Sequence, residues 1–240
     1  MPGDTVPAAP AIERLGDGAL LLRFGDHIDA TVNRRVHACA QALRACAPPW
    51  LLDLTPAYAS LAVHVDVACI DRDDPLSVVQ RWLEDRLAMA ACAGAATSTA
   101  VFEIPVLYGG DGGPDLASVA ARAGIETDAA IALHSAAAYT VAMLGFAPGF
   151  PYLLGLDPRL HTARHATPRA RIAAGSVGIG GAQTGIYPAA GPGGWQIIGR
   201  TPLRLFDATR QPPALLAPGQ CVRFVAIDAD TFTARDEHTR

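Results

Sequence analysis

Apolar positions in the first third of the chain alternate between two rhythms. Ile12–Leu15 and Ala19–Phe24 are short apolar runs on either side of Gly16-Asp17-Gly18, a pattern that predicts a hairpin. From Asp29 the period lengthens. Val32, Val36, Cys39 and Leu43 recur at helical spacing, Arg34, Arg35 and Arg44 lie off that stripe, and Asp29 is placed to cap it. Pro48-Pro49 ends this helix. Trp50–Leu54 and Ser60–Val65 then read as strands around a turn at Pro56. Asp74-Pro75 opens a second helix that turns Leu76, Val79, Leu83 and Leu87 inward. The order β-β-α-β-β-α predicts a small α+β domain over residues 1–90.

Residues 91–100 are small, uncharged and without period, which places a linker there. Phe102–Leu107 follows as a strand, and Gly109–Gly113 as a loop. Pro114 opens a helix closed by Gly124, and Thr127 is placed to cap another that reaches His134. Beyond it come short apolar segments punctuated by Gly and Pro: Tyr139–Leu144, Ile172–Ile179, Gly185–Tyr187, Trp195–Arg200, Leu203–Phe206 and Val222–Ile227. Many short strands with close turn signals predict a closed β-barrel over 101–229, with a polar tail at 230–240. The fold class is therefore α+β.

Charge changes this picture little. With 23 acidic and 19 basic residues the chain is mildly acidic, which excludes a bulk nucleic-acid binder. All 19 basic residues are Arg, so no Lys can serve as Schiff base or phosphate hook, and an anion must be held by Arg or backbone N–H groups. The five cysteines are odd in number and lack C-x-x-C spacing, which fits a reducing compartment. Met1–Pro10 does not read as a signal peptide, and the uncharged stretches Leu87–Phe102 and Ile131–Leu156 do not read as membrane spans, so a cytoplasmic location is expected.

Candidate chemistry is concentrated between His134 and Asp207. A backbone that approaches a ligand closely needs glycine, and Gly175–Gly185, including Gly180 and Gly181, supplies such positions; tight barrel turns would use the same residues without a ligand. Gln183 offers a donor and an acceptor suited to an amide edge, and Thr184 a neutral hydroxyl. Arg169 and Arg200 stand beside Pro168 and Thr201, each able to grip a carboxylate or phosphate. Tyr152, Tyr187 and Trp195 are candidate pocket walls. Phe146, Phe150 and Phe206 read as core, and Arg159, Arg164 and Arg171 as solvated. His134 fits either a buried structural role or the site. His161 and His165 have metal-like spacing, but no third ligand is nearby, so no metal site is assigned. There is no Walker loop and no G-x-S-x-G elbow, so the chain carries no self-sufficient catalytic set.

The runs Gly145-Phe146-Ala147-Pro148-Gly149-Phe150-Pro151-Tyr152, Ala166-Thr167-Pro168-Arg169, Gly175–Pro188, Gly193-Gly194-Trp195-Gln196 and Gly199–Asp207, in this order, resemble the KipI / 5-oxoprolinase B-subunit family. That family is also described as allophanate hydrolase subunit 1, with a carboxyltransferase-type domain, and its fold recurs in urea carboxylase. The first domain is similar more loosely, through Gly16-Asp17, Phe24-Gly25, Asn33 and Pro56–Leu61, while Leu154 and Thr55 depart from the pattern. The resemblance implies a cyclophilin-like barrel for the second domain. It implies a partner of the 5-oxoprolinase C-subunit type (allophanate hydrolase subunit 2) and a third component of the LamB/YcsF type. It also implies ATP, with Mg2+, as co-substrate in the opening of 5-oxo-L-proline to L-glutamate. On that reading Arg169, Arg200 and Gln183 are the expected catalytic residues. Tyr152, Gly180, Gly181, Thr184, Tyr187, Trp195 and His134 would bind the small-molecule substrate. A KipI-type inhibitor of a sensor histidine kinase and a component of a urea or allophanate carboxylase are the alternatives within the same resemblance.

Overall fold

The computed structural model describes residues 9–90 and 100–239, and the chain divides into two compact units, Met1–Thr97 and Ser98–Arg240. The linker expected at 91–100 lies, but for its last residue, outside the described residues.

In the first unit β1 (Ala11–Arg14) and β2 (Ala19–Arg23) form the expected hairpin, turned through Gly16 at φ 67°. α1 (Ala30–Ala45) begins where Asp29 accepts hydrogen bonds from the Thr31 and Val32 N–H groups, 2.8 Å each, satisfying two otherwise orphaned donors. β3 (Leu51–Pro56), β4 (Ser60–Val65) and α2 (Pro75–Ala90) complete the unit. The sheet order is β1-β2-β4-β3, antiparallel throughout. Strict alternation along β4 turns Leu61, Val63 and Val65 onto the two helices, where they meet Val36, Leu43, Val79 and Leu83. Buried Asn33 donates to the Ala57 and Tyr58 carbonyl oxygens, 3.1 Å each, and so pins the β3–β4 turn to α1.

The second unit is a closed seven-stranded barrel with helices packed on it. Its elements are β5 (Val101–Tyr108), α3 (Leu116–Ala123), α4 (Thr127–Ala136), β6 (Tyr139–Leu144), β7 (Pro151–Leu154), β8 (Arg169–Ile172), β9 (Ser176–Gly180), β10 (Gln183–Ile186), β11 (Gly191–Gly193), β12 (Gln196–Arg200), β13 (Cys221–Ala226) and α5 (Ala229–Thr239). The barrel order is β10-β7-β6-β13-β5-β12-β9, closed by β9 on β10; β5 and β13 are parallel and the other pairs antiparallel. Closure leaves no free edge in the barrel. Ile104, Val106, Val141, Leu153, Val177, Ile179, Ile186, Ile198 and Phe224 fill the interior, joined by Leu116, Val119, Ala120 and Ala130 of α3 and α4.

The structure corrects several local expectations. Ile172–Ile179 is not one strand: Gly175, at φ 81°, breaks it, and β8 leaves the barrel to pair with β11 in a separate two-stranded ribbon. Leu203–Phe206 makes only an isolated bridge, Phe206 to Ala214, because it has no neighbouring strand to pair along. Pro151–Leu154 and Gly191–Gly193, outside the strands expected from the sequence, pair as β7 and β11. Thr127 is the first helical residue of α4 and not its cap, a position held by Glu126. The segment read as a polar tail is the helix α5, in which the Phe232 ring meets the Arg200 guanidinium.

Candidate functional site

Two side-chain populations separate across the barrel wall, because strand residues alternate between faces. Thr184 and Ile186 of β10 point inward with Val177 and Ile179 of β9. Gln183, Gly185, Gly178 and Gly180 therefore share the outer face. Tyr152, paired in register with Gly185, also turns outward, while Leu153 turns in. The ribbon β8–β11 and the loop before β7 cover part of this outer face with a second apolar cluster: Phe150, Ile172, Tyr187, Trp195 and Ile197 buried, with Tyr152 half-buried against them.

The glycines take their meaning from this cluster. A Cβ on Gly180 would lie 2.6 Å from Trp195 Cε2, so the indole lies against the β9 backbone only because no side chain is there. Gly185 does the same for Phe150. The close approach expected of this run is thus made, at two positions, by the protein's own rings. Most of the run is strand, and at Gly180 and Gly185 rings occupy the space. Gly175 and Gly181 are turn geometry, at φ 81° before β9 and φ 68° between β9 and β10.

Trp195 meets Phe150 edge-on at 5.5 Å and Tyr152 at 5.8 Å, and Phe150 meets Tyr187 at 5.2 Å. Above them the Arg164 guanidinium stands 5.5 Å from the Trp195 ring centroid, a cation–π contact. Burial raises the Tyr187 phenol, an effect moderated by a hydrogen bond from the Trp195 backbone and by the positive charges of Arg164 and Arg169. Phe146, read as core, is 69% exposed and sits edge-on to Phe150 at 5.4 Å. Its φ of 67° makes it the one non-glycine residue with left-handed backbone among the described residues. Gln183 opens β10 on this face, half-buried, and its carboxamide has no hydrogen-bond partner among the described residues.

Arg169 faces a different demand. Its two terminal nitrogens donate to both oxygens of Asp115 at 2.7 Å, a bidentate pair 34% and 9% exposed. Asp115 also accepts from the Ile197 N–H at 2.7 Å and contacts His165 Nε2 at 3.2 Å. Burial works to raise the Asp115 carboxyl, but the bonds from Arg169, the Ile197 backbone and His165 outweigh it and hold the carboxyl below its usual range. Arg169 therefore ties β8 to the start of α3 and β12, and His165 Nε2 lies against the pair, 2.9 Å from Arg169 Nη1.

His134 and Thr184 lie inside the barrel. Thr184 Oγ1 donates to the Gly178 carbonyl at 3.0 Å and lies 3.0 Å from His134 Nε2, while His134 Nδ1 is 2.7 Å from the Tyr108 hydroxyl. A hydroxyl that gives its proton to Gly178 leaves its lone pairs for Nε2–H, so Nδ1 accepts from Tyr108. Phe224 stacks on the ring at 4.4 Å, and burial pushes the imidazole down to about 3, so it is neutral. Arg200 goes to a third place, where its Nε donates to the Ala174 carbonyl at 2.9 Å and its guanidinium faces Phe232 of α5 at 5.5 Å.

Of the ten residues singled out in the sequence, Tyr152, Gly180, Gln183, Tyr187 and Trp195 are brought together on one outer face, with Gly181 at its edge. Sequence reading missed Arg164 and Phe146 in this face and Asp115 behind it. Arg164 is 31 positions from Trp195 and Asp115 is 54 from Arg169, separations that no local pattern reports. Among the described residues no group of three His, Cys, Asp or Glu could hold a metal ion, and no helix is long and apolar enough to cross a membrane.

The family model for the carboxyltransferase domain, subdomain C and D, matches residues 10–216. A Bacillus subtilis (strain 168) protein, named as the B subunit of 5-oxoprolinase, is 42% identical over 234 residues, 95% of this chain and 97% of that one. The chain belongs to the 5-oxoprolinase B-subunit family. Solved structures agree on its architecture. The conserved uncharacterized protein PH0987 from Pyrococcus horikoshii is 43% identical over 92% of this chain and 100% of that one, with a TM-score of 0.55. TTHA0988 is 38% identical over 88% of this chain, with a TM-score of 0.75, and this chain spans 40% of its length. By its name the Bacillus relative is one subunit of a 5-oxoprolinase, and the outer aromatic face of this family member carries a carboxamide with no hydrogen-bond partner among the described residues.

Proposed function

We propose that this chain is one subunit of an ATP-dependent 5-oxoprolinase, and that its outer aromatic face forms part of a substrate cleft completed by partner subunits. Partners of the C-subunit and LamB/YcsF types, with ATP and Mg2+ as co-substrate, complete the proposal. The observation that carries it is the Gln183 carboxamide, without a hydrogen-bond partner among the described residues, on a face that also bears Tyr152, Trp195 and the guanidinium of Arg164. A carboxamide can pair with the N–H and C=O of a lactam edge, aromatic rings can cover a small ring's faces, and a guanidinium can take its carboxylate. The 42% identity to a 5-oxoprolinase B-subunit protein across nearly the whole chain supports the same reading.

A lactam amide is a poor electrophile. Transfer of the γ-phosphoryl group to the lactam oxygen releases ADP and makes the ring carbon open to water. Addition of water and cleavage of the C–N bond then give an acyl phosphate, whose hydrolysis yields glutamate and phosphate. In this scheme Gln183 orients the lactam and Arg164 holds the carboxylate. Arg169, committed to Asp115, acts as a positioning residue for β8. The test is glutamate release by the chain co-expressed with both partner types, dependent on ATP and oxoproline. Arg164→Ala should lower kcat/KM by about tenfold or more, the scale of one charge-assisted bond, and Gln183→Ala by about fivefold, the scale of a neutral one. Full rate in both variants would remove this face from the reaction. Glutamate release by the two partners without this chain would remove the chain itself.

A further inference from the structure

β12 ends at Arg200, and the chain turns away through Thr201 and Pro202. Beside this turn lies a cavity of about 130 Å³ lined by Gly175, Arg200, Thr201, Arg204 and, from α5, Asp236, among others. That volume is well below the roughly 300–1,000 Å³ of pockets that take drug-sized ligands, so an occupant is the size of a simple ion.

The cavity has a fixed wall. Gly175 stands at φ 81°, a Cβ there would collide with the Thr201 carbonyl oxygen, and the Gly175 carbonyl accepts from the Thr201 N–H at 2.9 Å. Its cations are also only partly paired. Arg200 is oriented by the Ala174 carbonyl and by the Phe232 ring, neither of which carries a negative charge, and among the described residues it has no carboxylate partner. Arg204 reaches Asp207 only loosely, at 3.3 Å and with its side chain 56% exposed. Two guanidiniums on one small cavity repel each other unless an anion lies between them. The carboxylate that lines the cavity, Asp236, is carried by α5, which lies beyond the residues 10–216 that define the family match.

We propose that this cavity binds a small oxyanion of the phosphate or carboxylate class through Arg200 and Arg204, with α5 as its cap and Asp236 as the competing internal anion. The site does not rest on the oxoproline reading, since the charge arrangement selects an oxyanion whatever the reaction. Asp236 lowers the affinity of the full chain, and substitution of that carboxylate raises it.

Calorimetric titration of the full chain with inorganic phosphate and, separately, acetate tests this at low ionic strength. One phosphate should bind per chain, weakened about tenfold or more by Arg200→Met and by Arg204→Met, as expected for loss of a charge-assisted bond, and tightened severalfold by Asp236→Asn. Tighter binding of acetate with the same variant pattern would support the site and make its ligand a carboxylate. If Arg200→Met fails to fold, Arg204→Met on the exposed arm still gives the answer. No binding of either ion up to about 10 mM, the weak limit for a useful site, or unchanged binding in both Arg variants, would overturn the proposal. Weaker binding in Asp236→Asn would overturn it as well.

Discussion

The neutral His134 inside the barrel makes the second unit acid-sensitive by an amount that can be worked out. In the unfolded chain the imidazole titrates at its ordinary 6.5, whereas burial pushes it down to about 3 in the fold. The folded value is the lower one, so the stabilisation is complete above the unfolded value. It is lost progressively as pH falls from 6.5 toward about 3, where the folded ring takes its proton. Below 6.5 the unfolded state binds one more proton, a slope of up to about 1.4 kcal/mol per pH unit, so about 2 kcal/mol is lost by pH 5. Most carboxylates remain ionised there and add little. His134→Gln keeps a donor and an acceptor toward Tyr108 and Thr184 but cannot titrate. Trp195 is the only tryptophan of the second unit, and replacing Trp50 and Trp82 by Phe isolates its fluorescence. Urea unfolding of both proteins from pH 7.5 to 5 should show the parent losing about 2 kcal/mol more than the variant. Parallel pH profiles would refute the buried neutral imidazole.

Three further outcomes follow from the same geometry. Asp115→Ala strands the Arg169 charge and the Ile197 N–H, and urea unfolding should show a loss of about 2–3 kcal/mol, discounted because Arg169 is one-third exposed. Gly180→Val drives a side chain into the Trp195 indole, so it should cost about 1–3 kcal/mol or more and shift Trp195 fluorescence toward that of a solvated ring; an unchanged spectrum and Tm would contradict the stacked indole. Phe146→Gly removes a left-handed non-glycine residue and should raise stability by up to about 1 kcal/mol in thermal unfolding, while weakening pull-down of the partner subunits if the exposed ring is a contact.

The β-β-α-β-β-α order of the first unit was legible because each element carries its own local signal. Asp29 caps α1, Asp74-Pro75 opens α2, and β4 alternates without a fault. The barrel was legible as a class, from many short strands among turns, and the run of motifs identified the family. The site was legible only as a set of residue types. Gly180, Trp195, Tyr152 and Gln183 share a face because alternation along β7, β9 and β10 turns them outward together, and the register of those strands is a tertiary fact. Sequence could not distinguish Arg169, neutralised by Asp115, from Arg164, laid over an indole, because a guanidinium's role depends on which distant group meets it. It could not place Arg200 beneath α5 either, since a short polar segment becomes a helix when it has a surface to pack on. Local chemistry determined the elements and the kinship, and long-range packing decided which charges are spent and which remain for a ligand.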